Sequence, residues 1–225
     1  MTFTPLILAG GKSTRMNSPK HLLPMPDGRP LYQHQIDLLA RTCPDAPTVY
    51  ISLAQDSQLD DYLRTLPTTS TTTTTPLTNS TPTTHIQHED DVRARVRIIP
   101  DLTSNPSPSS AGPASGLLAA YTYDPSKTWL VIPCDHPLLT PAALQHLCAA
   151  YEPPVTCFRN ADGFCEPLVG VWGPEGLRAL ADAVEERAGG GEGGGGGGKR
   201  GIGPSRVVRG LGGREVDVEE VVGGG

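Results

Sequence analysis

A run of apolar residues ahead of a glycine pair constrains this chain most. Pro5-Leu6-Ile7-Leu8-Ala9 enters Gly10-Gly11, and Lys12, Arg15 and Lys20 follow shortly after. An apolar run this short and unalternating reads as a strand over residues 5 to 9, buried in a parallel sheet. Gly10 and Gly11 permit positive φ and leave no Cβ in the way of a ligand. Successive amides in such a turn form an anion-binding nest, and Lys12, Arg15 and Lys20 add charge-assisted donors suited to phosphate oxygens. The local chemistry is that of a site for the phosphates of a nucleoside triphosphate. A tight β-to-α turn with a solvated basic loop is the other reading of the same residues. The spacing is neither that of a P-loop nor that of the dinucleotide fingerprint.

Strands and helices then alternate. Pro30 stands at a helix start, and the apolar spacing of Leu31, Ile36, Leu38 and Leu39 carries that helix to Arg41. Thr48 to Leu53 is β-rich and predicts a second strand. Asp56 can cap a helix running to about Leu66. Arg97 to Pro100 reads as a strand ending in Asp101, and Gly112 to Gly116 opens the next helix. Trp129-Leu130-Val131-Ile132-Pro133 is the clearest central strand and carries Cys134 and Asp135 to the edge occupied by the first loop. Thr140 with Pro141 caps a further helix. Val155 to Arg159 and Glu166 to Trp172 predict two more strands around an Asp162-Gly163 turn, and Pro174 to Arg187 a helix. This alternation implies a mostly parallel sheet covered by helices. A carboxylate at the C-terminal end of such a strand faces the crevice where ligands bind, which makes Asp101 and Asp135 candidates, while each also reads as a plain turn or cap residue. Hard carboxylate oxygen beside phosphates is also what Mg²⁺ requires.

Taken together, Leu8-Ala9-Gly10-Gly11-Lys12-Ser13-Thr14-Arg15-Met16, Pro19-Lys20-His21-Leu22-Leu23 and Gly28-Arg29-Pro30-Leu31 resemble the signature of the MobA-like nucleotidyltransferases. Ile99-Pro100-Asp101 with Gly112 to Leu117, and Val131 to Leu138, resemble two later stretches of that family. The resemblance implies a three-layer α/β/α sandwich with a mostly parallel sheet, the glycosyltransferase-A-like nucleotidyltransferase fold. It implies transfer of a nucleoside monophosphate, GMP from GTP, onto a phosphate-bearing acceptor such as molybdopterin or its molybdenum form, with release of pyrophosphate. It places nucleotide contacts at Leu8, Ala9, Gly10, Gly11, Lys12, Lys20, Asp101 and Asp135. Catalytic roles fall on Lys20, Asp135 and Arg15, and Mg²⁺ on Asp135. Arg159, beside the family's acceptor region, is expected to help hold an anionic acceptor. Pro133-Cys134-Asp135-His136-Pro137 is closer to the guanylyl than to the cytidylyl branch. The family continues into an Asn-rich Thr-Pro-Glu-Asp segment where this chain stops at Gly223-Gly224-Gly225. Leu53-Ala54-Gln55 stands where the family often has a nucleotide-contacting Asn. A cytidylyl- or uridylyltransferase acting on a sugar or alditol phosphate stays open as a second reading. A catalytically inactive nucleotide-binding relative is a third.

Composition bounds the rest. The 225 residues carry a formal charge of −6, which argues against broad binding to nucleic acid or to a membrane surface. No run approaches the ~20 apolar residues needed to span a bilayer, and no signal-peptide pattern opens the chain, so a cytoplasmic setting is expected. Five cysteines without a C-x-x-C pair make a disulfide framework or a structural zinc site the less favoured reading. His85 and His88, beside Glu89, Asp90 and Asp91, read better as a solvated polar patch than as a metal site. Residues 1–188 are expected to form the transferase domain, with a disordered Thr-rich insertion at 68–84 that cannot offset its ordering entropy. Residues 189–205 read as a Gly-rich flexible spacer, and 206–225 as a short C-terminal remnant of the same domain.

Overall fold

The computed structural model describes residues 1–10, 20–53, 83–86, 94–101, 114–189 and 203–217. Eight strands occur among them: β1 (Thr4–Leu8), β2 (Thr48–Leu53), β3 (Thr83–Ile86), β4 (Ala94–Pro100), β5 (Trp129–Pro133), β6 (Val155–Arg159), β7 (Cys165–Trp172) and β8 (Arg214–Asp217). They form one sheet in the order β3-β4-β2-β1-β5-β7-β6-β8. Five α-helices accompany it: α1 (Leu31–Thr42), α2 (Ala114–Tyr123), α3 (Pro141–Ala149), α4 (Pro174–Gly189) and α5 (Pro204–Gly210). A 3₁₀ turn spans Lys20–Leu22.

The centre of the sheet is apolar on both faces. Every residue of β5 is buried, as are Leu6 and Ile7 of β1. Alternate residues then divide between two layers. Ile7, Val49, Ile51 and Ile132 pack under Tyr32, Ile36 and Leu39 of α1 and Leu144 and Leu147 of α3. Leu6, Tyr50, Val131 and Trp172 pack under Leu117 and Ala120 of α2, Leu177 and Leu180 of α4, and Val207 and Val208 of α5. This is the three-layer α/β/α sandwich that the sequence predicts. Where the sequence predicts Thr140 as a helix cap, its hydroxyl accepts from the Ala143 amide at 3.2 Å.

Sheet direction positions the site. The strands β4, β2, β1 and β5 are mutually parallel, with Leu8 opposite Ser52 on one side and Pro133 on the other, and Leu53 opposite Pro100. Their C-terminal ends therefore share one edge. The chain leaves β1 toward β2 on one flank, while β5 pairs on the other. That makes β1 the switch point of the sheet, where open α/β sheets bind ligands. The antiparallel strand β7 lies between β5 and β6, so β6 and its parallel partner β8 also end at the site edge.

Elements differ from the sequence reading in extent. The first strand covers Thr4–Leu8, and Ala9 continues its pairing, its amide donating a hydrogen bond to the Ser52 carbonyl at 2.8 Å. The strand before Asp101 begins at Ala94. Thr83 and Thr84 belong to the antiparallel edge strand β3. The expected helix from Asp56, residues 68–82 of the Thr-rich insertion, and residues 190–202 of the Gly-rich spacer lie outside the described residues. After the spacer, α5 packs onto the α2/α4 layer and β8 joins the sheet. Cys157 and Cys165 meet across the irregular β6–β7 pair, with their sulfurs 2.9 Å apart, and all five cysteines are free thiols.

Leu117 is fully buried and carries α2 onto the sheet. Leu117→Ala is expected to cost about 2–5 kcal/mol through lost burial and the cavity left behind. Urea unfolding should show this as a lower midpoint with an unchanged slope.

Candidate active site

Asp135 lies in a turn just beyond β5. The Cys134 amide donates to the Leu8 carbonyl at 3.0 Å, which continues the β1–β5 pairing past both strand ends and fixes where Asp135 emerges. Lys20 comes from the 3₁₀ turn ahead of α1. Its Nζ lies 2.9 Å from Asp135 Oδ2, across 115 positions of sequence. The turn is anchored by the Leu23 amide on the Lys20 carbonyl and by the Leu31 amide on the Leu23 carbonyl. His136 Nδ1 sits 3.2 Å from the other carboxylate oxygen, Oδ1. The His136 contact and then the Lys20 ammonium hold the Asp135 carboxyl well below the usual carboxylate range, against the opposing effect of partial burial. The side chains of Lys20 and Asp135 are 41% and 40% exposed, so a solvent-borne ligand can reach both.

Asp101 has a different setting. It follows β4, its amide donates to the Leu53 carbonyl at 2.7 Å, and it is only 8% exposed. Ser52 Oγ donates to Asp101 Oδ1 in a short hydrogen bond, and Ser115 Oγ donates to Oδ2 at 3.0 Å. The carboxylate thereby joins β2, β4 and the first turn of α2. Gly10 lies against it: a Cβ on Gly10 would stand 1.9 Å from Asp101 Oδ2. On the other side of the cluster, a Cβ on Gly116 would meet Leu8 Cδ2 at 2.7 Å and Ser52 Oγ at 2.9 Å.

Gly10 therefore has no Cβ because Asp101 fills that space, and its backbone is not in the left-handed region. That corrects the positive-φ reason read from the sequence. Left-handed glycine does occur at Gly28, with φ of 81° in the turn before α1. Leu8, Ala9 and Gly10 end β1 beside this cluster, while Gly11, Lys12 and Arg15 lie outside the described residues. Arg159 sits on β6, partly exposed and paired with β8. Its fork closes on Asp217 at 2.7 and 2.8 Å, with Glu215 at 3.7 Å, and ties β6 to β8. Cys134 is buried, and burial followed by the Asp135 charge pushes its thiol up to about 11. A protonated thiol fits the packing role that the sequence predicts.

Sequence reasoning missed Ser52 and Ser115. A serine in a strand and another at a helix start carry no motif. Only the β2–β4 pairing, with Ser52 opposite Ile99, brings them to one carboxylate.

The donor set can be tested against Mg²⁺. Asp135 offers one ionised, solvent-reachable carboxylate, oriented by Lys20 and His136. Among the described residues, no group of three or more His, Cys, Asp or Glu side chains converges as a complete cage. Mg²⁺ takes one or two carboxylates and completes its octahedron with phosphates and water, so the residues present fit that ion with a phosphate ligand.

The family model of the MobA-like NTP transferase domain matches residues 5–194. The chain belongs to that family. It is therefore a nucleotidyltransferase at the level of its domain. It is 30% identical over 181 residues to the molybdenum cofactor biosynthesis bifunctional protein of Synechocystis, covering 79% of this chain and 41% of that protein. The chain thus spans about two fifths of the length of that relative. It is 26% identical over 186 residues to the probable molybdenum cofactor guanylyltransferase of Flavobacterium johnsoniae, covering 82% of this chain and 75% of the relative. Among solved structures, molybdopterin-guanine dinucleotide biosynthesis protein A of Archaeoglobus fulgidus superposes with a TM-score of 0.56 at 14% identity, over 97% of this chain and 85% of that one. At that identity the likeness shows the shared fold. No described helix of this MobA-like domain is long and apolar enough to cross a membrane.

Two expectations follow for this MobA-like domain. Gly10→Ala should drive Asp101 off its serine partners and destabilise the fold by about 1–3 kcal/mol, as overpacking does. Gly28→Ala, with open space around it, should cost only the backbone strain of about 1 kcal/mol. Paired denaturation curves separate the two. The second concerns pH. The Asp135 carboxyl is depressed in the fold, so its stabilising contribution is complete above the ordinary carboxylate value of about 4 and is lost as pH falls through the lower folded value. The melting-temperature gap between the wild type and Asp135→Asn should be present at about pH 5 and shrink below about pH 4.

Proposed function

We propose that this chain transfers GMP from GTP to a phosphate-bearing acceptor, molybdopterin or its molybdenum form, and releases pyrophosphate. One observation carries the reading: the solvent-reachable Lys20–Asp135 pair at the C-terminal edge of β1 and β5, in a chain of this family. The guanylyl preference draws support from the Pro133-Cys134-Asp135-His136-Pro137 stretch and from the similarity to the probable molybdenum cofactor guanylyltransferase of Flavobacterium johnsoniae.

In this reading an acceptor phosphate oxygen attacks the α-phosphorus of GTP. A P–O bond forms to the acceptor as the bond to the β-phosphate oxygen breaks, and the electron pair leaves with pyrophosphate. The chemistry needs alignment and charge neutralisation more than covalent help from the protein. Lys20 Nζ, held by Asp135, stands ready to face phosphate oxygens whose charge grows in the transition state. Asp135 would hold Mg²⁺, which when bound neutralises phosphate charge as a Lewis acid. Asp101 acts from beneath: with both oxygens engaged by serines, it sets the spacing between Gly10 and the first turn of α2, where the nucleoside would lie. Gly11 and Lys12 are assigned to the phosphates and Arg15 to catalysis on the motif alone.

The test is thermal stabilisation by GTP, CTP, ATP and UTP, each with and without Mg²⁺. A ligand at a hundred times its Kd raises the stability of the folded state by about 2.7 kcal/mol. The expected result is a Mg²⁺-dependent shift with GTP that is absent in Asp135→Ala, together with pyrophosphate release when molybdopterin is added. Lys20→Ala should lower kcat by about 10²–10³-fold, the usual cost of removing one preorganised charge donor. Stabilisation by CTP or UTP alone would replace the guanylyl assignment with the cytidylyl or uridylyl one. Binding with no turnover on any acceptor would leave a nucleotide-binding relative without this activity.

A further inference from the structure

We infer that Gln35 is a positioning residue for Asp135. The Asp135 turn is held from both sides. On the N-terminal side, the Cys134 amide is fixed to the Leu8 carbonyl at 3.0 Å. On the C-terminal side, the His136 carbonyl accepts a hydrogen bond from Gln35 Nε2 at 2.9 Å, reaching 101 positions along the chain. Among the described residues the other contact to that carbonyl, from the Leu139 amide, is long at 3.4 Å. Gln35 therefore supplies the firm anchor on that side, and it does so from α1, a helix otherwise committed to the core.

The burial of Gln35 shows what this anchor costs. The residue is fully buried, yet its Oε1 has no hydrogen-bond partner among the described residues. A primary amide satisfied at one end only is unfavourable in a protein interior, and an apolar side chain of similar shape would remove the penalty. Its neighbours Leu31, Ile36, Leu38 and Leu39 are all buried apolar residues, so leucine or methionine suits the position by packing alone. Gln35 thus weakens the core in order to place one N–H donor beneath the turn. Because the Lys20–Asp135 contact is formed at the surface, its geometry depends on where this turn stands. A carboxylate that must meet an ion and a phosphate within a few tenths of an ångström needs such support.

This inference rests on the reading of Asp135 as the site carboxylate. Its test uses the full chain and the variant Gln35→Met, which keeps volume and loses the donor. In the nucleotide-free protein, amide hydrogen exchange over residues 134–139 should accelerate about tenfold, the effect of losing one hydrogen bond. Exchange in β1 and β5 should stay as it is, and the melting temperature should hold or rise, since the variant also removes the unsatisfied Oε1. In the assay, kcat should fall about tenfold while the affinity for nucleotide measured in EDTA is unchanged. Gln35→Asn, a buried amide too short to reach the His136 carbonyl, should loosen the same segment, and it decides the matter if the Met variant does not fold. Unchanged exchange over 134–139 overturns the inference. So does acceleration spread evenly over the domain, which would make Gln35 a packing residue. If the segment loosens as expected but the wild type shows no turnover with any nucleotide, the proposed function fails and the anchor stands.

Discussion

The pairing of β1 with β5 is the constraint on which everything else in this molecule depends. Five register positions join Thr4–Leu8 to Trp129–Pro133, and the Cys134 amide adds one more bond past the strand ends. These strands are separated by more than a hundred residues of chain, and both sit at the dry centre of the sheet. Their parallel alignment brings the loop after β1 and the turn after β5 out on the same side. With that pairing in place, α1 covers one face and α2 the other, and the 3₁₀ turn ahead of α1 comes to rest against Asp135. A slip of one residue in β5 would send Ile132 to the other layer and carry Asp135 away from Lys20.

The ion pair at the edge has an instructive energy balance. Both side chains are about two-fifths exposed, and pairs this wet contribute little to folding. Asp101 is the opposite case, nearly sealed and satisfied by two hydroxyls. One carboxylate thus braces the edge and the other faces solvent. On the function proposed above, the exposed one meets the phosphates while the buried one keeps the floor from moving.

Much of this arrangement was legible in the sequence. The apolar runs at Thr48–Leu53, Trp129–Pro133 and Val155–Arg159 mark their strands by composition alone, and Thr140-Pro141 marks a helix start. Asp101 and Asp135 could be singled out because a residue just past a parallel strand must sit at the ligand edge. What could not be read was anything decided by long-range pairing. Gly10 looked like a turn glycine, but its lack of a Cβ makes room for a carboxylate 91 positions away in the chain. The pairing of Arg159 with Asp217 could not be read either, because nothing local says that β8 lies alongside β6. Ser52, Ser115 and Gln35 carry no pattern at all. Their importance lies in which backbone or carboxylate they meet, and that is a property of the sheet order.

The side-by-side placement of β2 and β4 bears on how such a chain can change length. Six register positions hold Thr48–Leu53 against Arg95–Pro100, although residues 54–94 intervene in sequence. Closing a flexible connection costs only about 0.6 kcal/mol more for each doubling of its length. The register between β2 and β4 is set by the paired strands themselves, so residues added between them tax the fold by a fraction of one buried side chain. A lineage can lengthen or shorten this stretch, and recolour its composition with threonine, at almost no thermodynamic penalty.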